Sequence, residues 1–301
     1  MVNANVNANT NTNTNTNTNT NTNINTRPLA ERLGQPVAAV LDGLSALLAQ
    51  QGRRLRTQQP GSAPAHFQAL RAAFDQHSGA VGSALKKALL ERWPRIPFSD
   101  QELESGEQQA PEHAGAYWVC DPIDGALHYL SGMPGWTIAL CLVVEGEPAL
   151  ALVHDPATGR TYRAVAGQGA DCDGAPLRAN ARGALASALI ATAHPNWPGQ
   201  VRNDTAAFLD RFGRLLPQVF GQRVHGPTSL LLALVAGGAL DGYWECGQDY
   251  YDWLPGVLLV TEAGGVVTAL DGKPFTWGCQ GIVAAGPAMH GGLRSALAGQ
   301  G

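Results

Sequence analysis

The sequence has no excess of positive charge and little charge of either sign. Charged residues make up 15% of the 301 positions, and 20 Lys and Arg stand against 24 Asp and Glu, which gives a net charge of −4. No block of basic residues is present that would neutralise a phosphate backbone. We therefore do not expect nucleic acid as a partner.

Cysteine is scarce, and its spacing excludes a local metal-binding or redox pair. The five cysteines lie far apart, are odd in number and form no Cys-x-x-Cys motif. They are Cys120, Cys141, Cys172, Cys246 and Cys279. This pattern predicts free thiols in a reducing cytoplasm.

The first 26 residues lack the features of a targeting segment. They contain no basic start, no continuous apolar core and no cleavage signal, so we expect neither a secretory signal nor a membrane anchor. Asn alternates there with Thr, Ala or Val. Such a polar run buries too little apolar surface to offset the entropy of ordering, so we predict a disordered tail over residues 1–26. A polar β-stack is the less favoured alternative.

Apolar periodicity predicts two α-helices at the start of the folded part, the second ending at Trp93-Pro94. Their apolar faces consist of Val37, Leu41, Leu44 and Leu48 in the first helix, and of Val81, Leu85 and Leu89 in the second. Short strands with a period of two follow at 117–120, 137–144, 149–154 and 161–165. This succession is typical of an antiparallel sheet with helices ahead of it.

Beyond residue 180, strands and helices alternate. Strands are predicted at 188–192, 241–245, 266–269 and 282–285, and helices at 204–216, 228–236 and 253–262. We therefore predict two halves, residues 27–180 and 181–301, packed as one structural unit. The acidic segment 171–174 lacks most ligands of a calcium loop, so we expect a hairpin turn there.

The segment Trp-Val-Cys-Asp-Pro-Ile-Asp-Gly at 118–125 is the strongest candidate for chemistry. An apolar strand runs into Asp121 and Asp124, and the proline and glycine favour a sharp change of chain direction. Both carboxylates can then face one point, with the carbonyl of Ile123 as a third oxygen ligand, a set that suits Mg²⁺ and not zinc. A phosphate can bind the N–H groups after Gly125, above all where a helix starts there. On spacing alone, the same residues fit a plain turn equally well.

A resemblance favours the metal site over the turn. The central motif continues into Gly-Met-Pro-Gly-Trp-Thr-Ile-Ala-Leu at 132–140, and a second motif consists of Asp-Gly-Tyr-Trp-Glu at 241–245, Tyr-Asp at 251–252 and Glu-Ala-Gly-Gly at 262–265. In this order, the two motifs resemble the signatures of the inositol monophosphatase family, and the similarity covers about residues 81–285.

The resemblance implies a fold and a reaction. The fold is α+β, a layered α-β-α-β-α sandwich of the inositol monophosphatase and fructose bisphosphatase type. The reaction is the Mg²⁺-dependent hydrolysis of an inositol phosphate or a small sugar or polyol phosphate by a metal-activated water. A homodimer is also implied, with a small phosphorylated substrate as partner and no contact with a membrane.

The resemblance further implies the ligands of two Mg²⁺ ions. Glu102, Asp121 and the Ile123 carbonyl hold one ion, while Asp121, Asp124 and Asp252 hold the second. Glu102, Asp121 and Asp124 form the catalytic set. Without the resemblance, the stretch around Glu102 would be an acidic surface loop.

Substrate contacts are implied in the same way. Gly125 and Ala126 bind the phosphate, and Asp124, Glu245 and Asp252 contact the rest of the substrate. The loop 226–229 is a further candidate for contact with the polyol. Glu104 is the alternative to Glu102 as the upstream metal ligand.

The sequence departs from the family pattern at several positions, two of which bear on turnover. Relatives usually carry Thr, whose hydroxyl positions the attacking water, where this chain has Ala126, and Ser78 stands where a supporting Asp is expected. One hydrogen bond made only in the transition state is worth about 2–4 kcal/mol, so turnover could be reduced. The alternatives are thus a weakened relative that binds metal or anions or has a regulatory role, and a bisphosphate nucleotidase or sugar bisphosphatase on the same fold.

Overall fold

The structure is a computed structural model that describes residues 28–101, 108–194 and 202–298. The tail predicted to be disordered lies outside these residues. Within them the chain forms eight α-helices and eleven strands. The helices are α1 (Leu29–Leu33), α2 (Val37–Gln58), α3 (Phe67–Arg92), α4 (Ala126–Leu130), α5 (Arg202–Leu215), α6 (Thr228–Ala236), α7 (Tyr250–Glu262) and α8 (Pro287–Ala298). The strands are β1 (Ala116–Asp124), β2 (Thr137–Val144), β3 (Glu147–Asp155), β4 (Arg160–Val165), β5 (Gly169–Cys172), β6 (Ala175–Pro176), β7 (Leu189–Thr192), β8 (Gly221–Val224), β9 (Gly242–Cys246), β10 (Val266–Ala269) and β11 (Gly281–Ala285).

Strands β1 to β6 form an antiparallel sheet in chain order. Short turns join the strands from β2 to β6, and two of these turns place a residue other than glycine in the left-handed region, Glu145 before Gly146 and Asp173 before Gly174. Two consecutive residues with positive φ match the twist of a hairpin. The hairpin predicted around 171–174 is therefore confirmed, although its two short strands were not predicted.

The second sheet has the order β10-β11-β9-β7-β8. Its pairs are antiparallel from β10 to β9 and parallel from β9 to β8. The strand β8 and the helix α8 were not predicted. The first is short and carries Gln222 and Arg223, while the second contains Gly291 and Gly292, which weaken a helical pattern.

Three helical layers enclose the two sheets. The pair α2 and α3 covers the outer face of the first sheet, α6 and α7 lie between the sheets, and α5 and α8 cover the outer face of the second. Every residue of β2 is consequently buried, with Cys141 facing the middle helices and Leu140 facing α2 and α3. The predicted layered α-β-α-β-α sandwich is confirmed. The division near residue 180 stays a prediction, although the chain passes from one sheet to the other between Pro176 and Leu189.

Among the described residues, no helix combines the length and the apolar character that crossing a bilayer requires. The longest helices, α2 and α3, are amphipathic and pack on the outer face of the first sheet. Each buries one face on the first sheet and leaves the other face exposed.

His154 is buried where α2 crosses β3. Its Nδ1 lies 2.9 Å from the hydroxyl of Thr161, and a Cβ on Gly52 would lie 2.8 Å from its ring. Burial lowers the pKa of His154 below the ordinary 6.5, although the nearby Asp155 opposes this effect. The folded chain thus keeps His154 neutral at pH values where the unfolded chain takes up a proton.

We therefore expect His154 to contribute stability above pH 6.5 that is lost as the pH falls below that value, by up to about 1.4 kcal/mol per pH unit. Chemical denaturation between pH 7.5 and 5 measures this effect. The free energy of unfolding should fall less steeply with decreasing pH for His154→Gln than for the wild type. His66→Asn, at an exposed position, should retain the wild-type slope, and equal slopes for all three proteins would contradict the prediction.

Candidate functional site

The end of β1 departs from regular sheet geometry at the central motif. Asp121 pairs with Ala139 of β2 and Asp124 pairs with Thr137, so three steps along β1 face two steps along β2. This bulge matters because residues three apart in a regular strand point to opposite faces. The Oδ1 atom of Asp121 accepts a hydrogen bond of 2.8 Å from the N–H of Ile123, which fixes the chain inside the bulge.

The bulge and the start of α7 bring three carboxylates together. Oxygen atoms of Asp121, Asp124 and Asp252 all lie within 4.8 Å of one another. The helix α7 begins at Tyr250, three residues before its predicted start, so Asp252 lies in the first helical turn. We call these three residues the acidic cluster. Their role as metal ligands, and that of the Ile123 carbonyl, stays a prediction.

The acidic cluster is costly without a counter-charge. Burial raises the pKa of Asp124 to about 6, against the opposing effect of hydrogen bonds from Ser229. Burial and the negative charges of Asp249, Asp124 and Asp121 raise the pKa of Asp252 well above its ordinary value. Because buried like charges close together are unfavourable, a divalent cation bound by carboxylate oxygens would relieve the repulsion. The three residues therefore fit a hard cation.

The start of α6 holds Asp124 in place. The N–H of Ser229 donates a hydrogen bond of 2.8 Å to Oδ2 of Asp124, and the Ser229 hydroxyl lies 2.8 Å from that of Thr137. A helix start is a favourable place for a negative charge because its first N–H groups are unpaired within the helix. The sequence indicated segment 226–229 only as a candidate for substrate contact. It did not indicate that Thr137 takes part in holding this segment beside Asp124.

Glu245 lies beside the acidic cluster in a buried network. Its Oε2 atom accepts hydrogen bonds from the Tyr243 hydroxyl at 2.6 Å, from Nε1 of Trp253 at 2.7 Å and from the Thr228 hydroxyl at 3.3 Å. Burial, followed by the charge of Asp249, raises the pKa of Glu245 to about 8. The predicted contact between Glu245 and the substrate is not tested by these bonds and stays a prediction.

The glycine that ends the central motif is required by its surroundings. Gly125 has a φ of 88°, and a Cβ there would lie 3.2 Å from the carbonyl oxygen of Gly135 and 3.2 Å from Cβ of Pro227. The helix α4 starts directly afterwards at Ala126, which is the condition that favours phosphate binding by the N–H groups after Gly125. Phosphate binding by Gly125 and Ala126 stays a prediction.

Glu102 and Glu104 lie outside the described residues. The described residues on both sides of them are nevertheless tied to α7. The Ser99 hydroxyl makes a short hydrogen bond with the Tyr251 hydroxyl, and Oε1 of Gln108 accepts one of 3.3 Å from the N–H of Tyr251. The residues on either side of segment 102–107 are therefore both bonded to Tyr251, which precedes Asp252 in the chain.

Comparisons with known proteins agree with one another. A model described as the inositol monophosphatase family matches residues 69–300. The chain is 35% identical to an inositol-1-monophosphatase of Rhizobium meliloti over 196 residues, 64% of this chain and 71% of that protein. It is 37% identical to a protein of Pseudomonas aeruginosa named Nus factor SuhB, over 54% of this chain and 59% of that protein. The match thus spans less than two thirds of the Pseudomonas protein.

A solved structure extends the likeness over most of the fold. The inositol monophosphatase of Anabaena (Nostoc) sp. PCC 7120 superimposes with a TM-score of 0.72 at 25% identity. The superposition covers 87% of this chain and 96% of the other.

The repulsion within the acidic cluster leads to a stability prediction. In the presence of a chelator, Asp252→Asn should raise the free energy of unfolding by about 1–3 kcal/mol, because it removes one of three mutually repelling carboxylates without changing the shape of the side chain. Denaturation in urea measures the change. Asp210→Asn, at an exposed position on α5, serves as the matched control and should have little effect. A destabilised Asp252→Asn chain would show that the charge is compensated within the protein.

Proposed function

This chain belongs to the inositol monophosphatase family and is a phosphoric monoester hydrolase, and we propose that it uses Mg²⁺ to hydrolyse an inositol phosphate or a small sugar or polyol phosphate. The observation that carries the proposal is the acidic cluster. Three carboxylates, two of them buried and one partly buried, repel one another within 4.8 Å, and a cation would relieve this repulsion and allow a phosphate monoester to approach.

Oxygen ligands select the kind of cation. Carboxylate and carbonyl oxygens suit Mg²⁺, whereas zinc sites usually include His or Cys. We propose Glu102, Asp121, Asp124, Asp252 and the carbonyl of Ile123 as the ligands. When bound, Mg²⁺ would neutralise phosphate oxygens and lower the pKa of a coordinated water.

The protein's own groups would orient the substrate phosphate and the attacking water. Asp124 is held by the N–H of Ser229, so its carboxylate keeps one orientation while the substrate enters. We assign the backbone N–H groups of Gly125 and Ala126 to the phosphate, and Glu102 to the proton of the attacking water. The attachment of Ser99 to Tyr251 supports the role of Glu102, because that residue follows Ser99 by three positions.

The rest of the substrate would lie toward Glu245. Its carboxylate is anchored through Oε2, and the indole of Trp253, next to Asp252 in sequence, provides one of the anchors. A polyol hydroxyl would be recognised by Glu245, Asp252 and Asp124 together. We further propose a homodimer, by analogy with the family, and a cytoplasmic location, which the five free cysteines support.

A weakened or regulatory protein is the second candidate. The observation in its favour is Ala126, whose methyl group cannot replace the hydroxyl that relatives use to position water. Relatives named Nus factor SuhB also match this chain, which supports a regulatory role. A bisphosphorylated sugar or nucleoside as substrate remains a further alternative, because loop shape and not the acidic cluster decides between substrates.

Phosphate release from inositol, sugar and nucleoside phosphates tests the proposal. We expect phosphate release that depends on Mg²⁺. Asp121→Asn should reduce the rate of release by a factor of about 1,000 or more, because Asp121 is the proposed ligand shared by both Mg²⁺ ions. Asp210→Asn should retain full activity. Activity that persists in Asp121→Asn, or that is unaffected by removal of Mg²⁺, would contradict the proposal.

Ala126→Thr separates the two candidate functions. A threonine hydroxyl at the start of α4 should raise kcat by a factor of about 10 to 1,000, because it restores a hydrogen bond made in the transition state. Steady-state kinetics measure the change, with Ala126→Val as a control of equal shape that lacks the hydroxyl. An inert wild type that gains activity in Ala126→Thr would identify the natural chain as the weakened form, whereas no gain over Ala126→Val would show that the hydroxyl has no role.

A further inference from the structure

Two histidines from distant parts of the chain lie against each other. His128 belongs to α4, and His225 directly follows β8 in the segment that leads into α6. Their ring centroids are 4.5 Å apart, and the two ring planes are inclined to each other by 56°. We call these two residues the histidine pair. Because they are far apart in the sequence, the fold and not a local motif brings their imidazoles together.

A glycine makes room for both rings. Gly135 has a φ of 82°, and a Cβ on it would lie 3.4 Å from Cε1 of His225 and 3.6 Å from Nδ1 of His128. Both imidazoles therefore approach the same glycine from above its Cα. The absence of a side chain at Gly135 lets the two rings come into contact.

The ring of His128 is held in one orientation. The carbonyl of His128 accepts a hydrogen bond of 2.9 Å from the N–H of Met133, and its Nδ1 lies 2.7 Å from the carbonyl oxygen of Gly135. Because a carbonyl oxygen only accepts, Nδ1 is the donor, and in the neutral ring Nε2 then has a free lone pair. A histidine that binds a metal ion usually donates its other ring N–H to a carbonyl or carboxylate in this way.

The backbone of His225 is also fixed, while its side chain is accessible. Its N–H donates to the carbonyl of Thr192 at 2.9 Å, which continues the parallel pairing of β7 and β8 by one residue. Although His225 is exposed, partial burial, followed by the charge of His128, lowers the pKa of His225 below its ordinary value. The lowered pKa favours the neutral imidazole, which is the form that binds a metal ion.

Imidazole nitrogens select a different kind of metal ion from the acidic cluster. They suit Zn²⁺, Cu²⁺ and Ni²⁺, whereas Mg²⁺ prefers oxygen ligands. Within residues 28–101, 108–194 and 202–298, the acidic cluster is the only group of three or more His, Cys, Asp or Glu side chains close enough to share an ion. An ion at the histidine pair would therefore be held by two imidazoles, with water in the remaining positions.

We propose that His128 and His225 bind Zn²⁺ at a site distinct from the acidic cluster. The proposal goes beyond the proposed hydrolysis and does not rest on it. A Cβ on Gly125 would lie 3.2 Å from Cβ of Pro227, so the segments that lead into α4 and α6 already meet near the histidine pair. A bound Zn²⁺ would add a second link between them and should stabilise the folded chain.

Isothermal titration of Zn²⁺ into the full chain tests the proposal, with Mg²⁺ in excess so that the acidic cluster has its own cation. His128→Gln and His225→Gln should each weaken Zn²⁺ binding by about tenfold or more, because only one imidazole ligand remains. His66→Gln, at an exposed position outside the pair, should bind Zn²⁺ like the wild type. Zn²⁺ should also raise the melting temperature of the wild type more than that of His225→Gln.

X-ray absorption of the Zn²⁺ complex identifies the ligands and should show two imidazoles. The proposal is overturned if the wild type does not bind Zn²⁺, if binding survives both histidine variants, or if the spectrum shows sulfur or only oxygen ligands. Loss of the surviving binding in Asp252→Asn would then place Zn²⁺ in the acidic cluster.

Melting temperatures without Zn²⁺ identify a variant that fails to fold. If His128→Gln fails because it loses the bond to Gly135, His225→Gln decides, since His225 is exposed and its side chain is not needed for packing. The titration contains no substrate. Failure of phosphate hydrolysis would therefore leave Zn²⁺ binding unaffected, and the two proposals fail separately.

Discussion

Mutual repulsion of three closely spaced carboxylates is the constraint on which the arrangement of this protein depends. Asp121, Asp124 and Asp252 would move apart if their backbones were free to do so. They remain together because a strand buried on both faces carries two of them and a helix enclosed between two sheets carries the third. The layered fold thus holds in place a group of charges that is unfavourable on its own.

Specific contacts transmit that rigidity to the carboxylates. Asp121 is fixed by the N–H of Ile123 within its own bulge, and Asp124 is fixed by the start of α6. The start of α7 is held by Tyr250, whose hydroxyl donates to the carbonyl of Cys279 at 2.8 Å and whose ring stacks on Trp277. Each carboxylate is therefore oriented by a different part of the chain, which is what a preorganised cation site requires.

The sequence was sufficient to predict what local patterns encode. Apolar periodicity marked α2, α3 and the strands β1 to β4, and the residues Asp121, Asp124 and Gly125 indicated a sharp change of chain direction with both carboxylates facing one point. The bulge that produces this arrangement was not predicted. The sequence was insufficient where contacts between distant segments determine the local structure. The bond from Ser229 to Asp124 joins residues 105 positions apart, and no local pattern signals it. The start of α7 was misplaced for the same reason, because its first turn is stabilised by Tyr250 contacts that lie 26 and 29 residues away.

The two departures from the family pattern lie on one side of the acidic cluster. Ala126 packs against the apolar cluster beneath α2 and α3, and Ser78 lies on α3 in a surface groove that Pro122 also lines. On the opposite side, the contacts made by α6 and α7 with Asp124 and Glu245 are complete. Under the proposed mechanism, holding a cation and positioning a water molecule thus depend on different helices. Sequence change on α3 or α4 would therefore alter turnover while the charge repulsion within the acidic cluster remains.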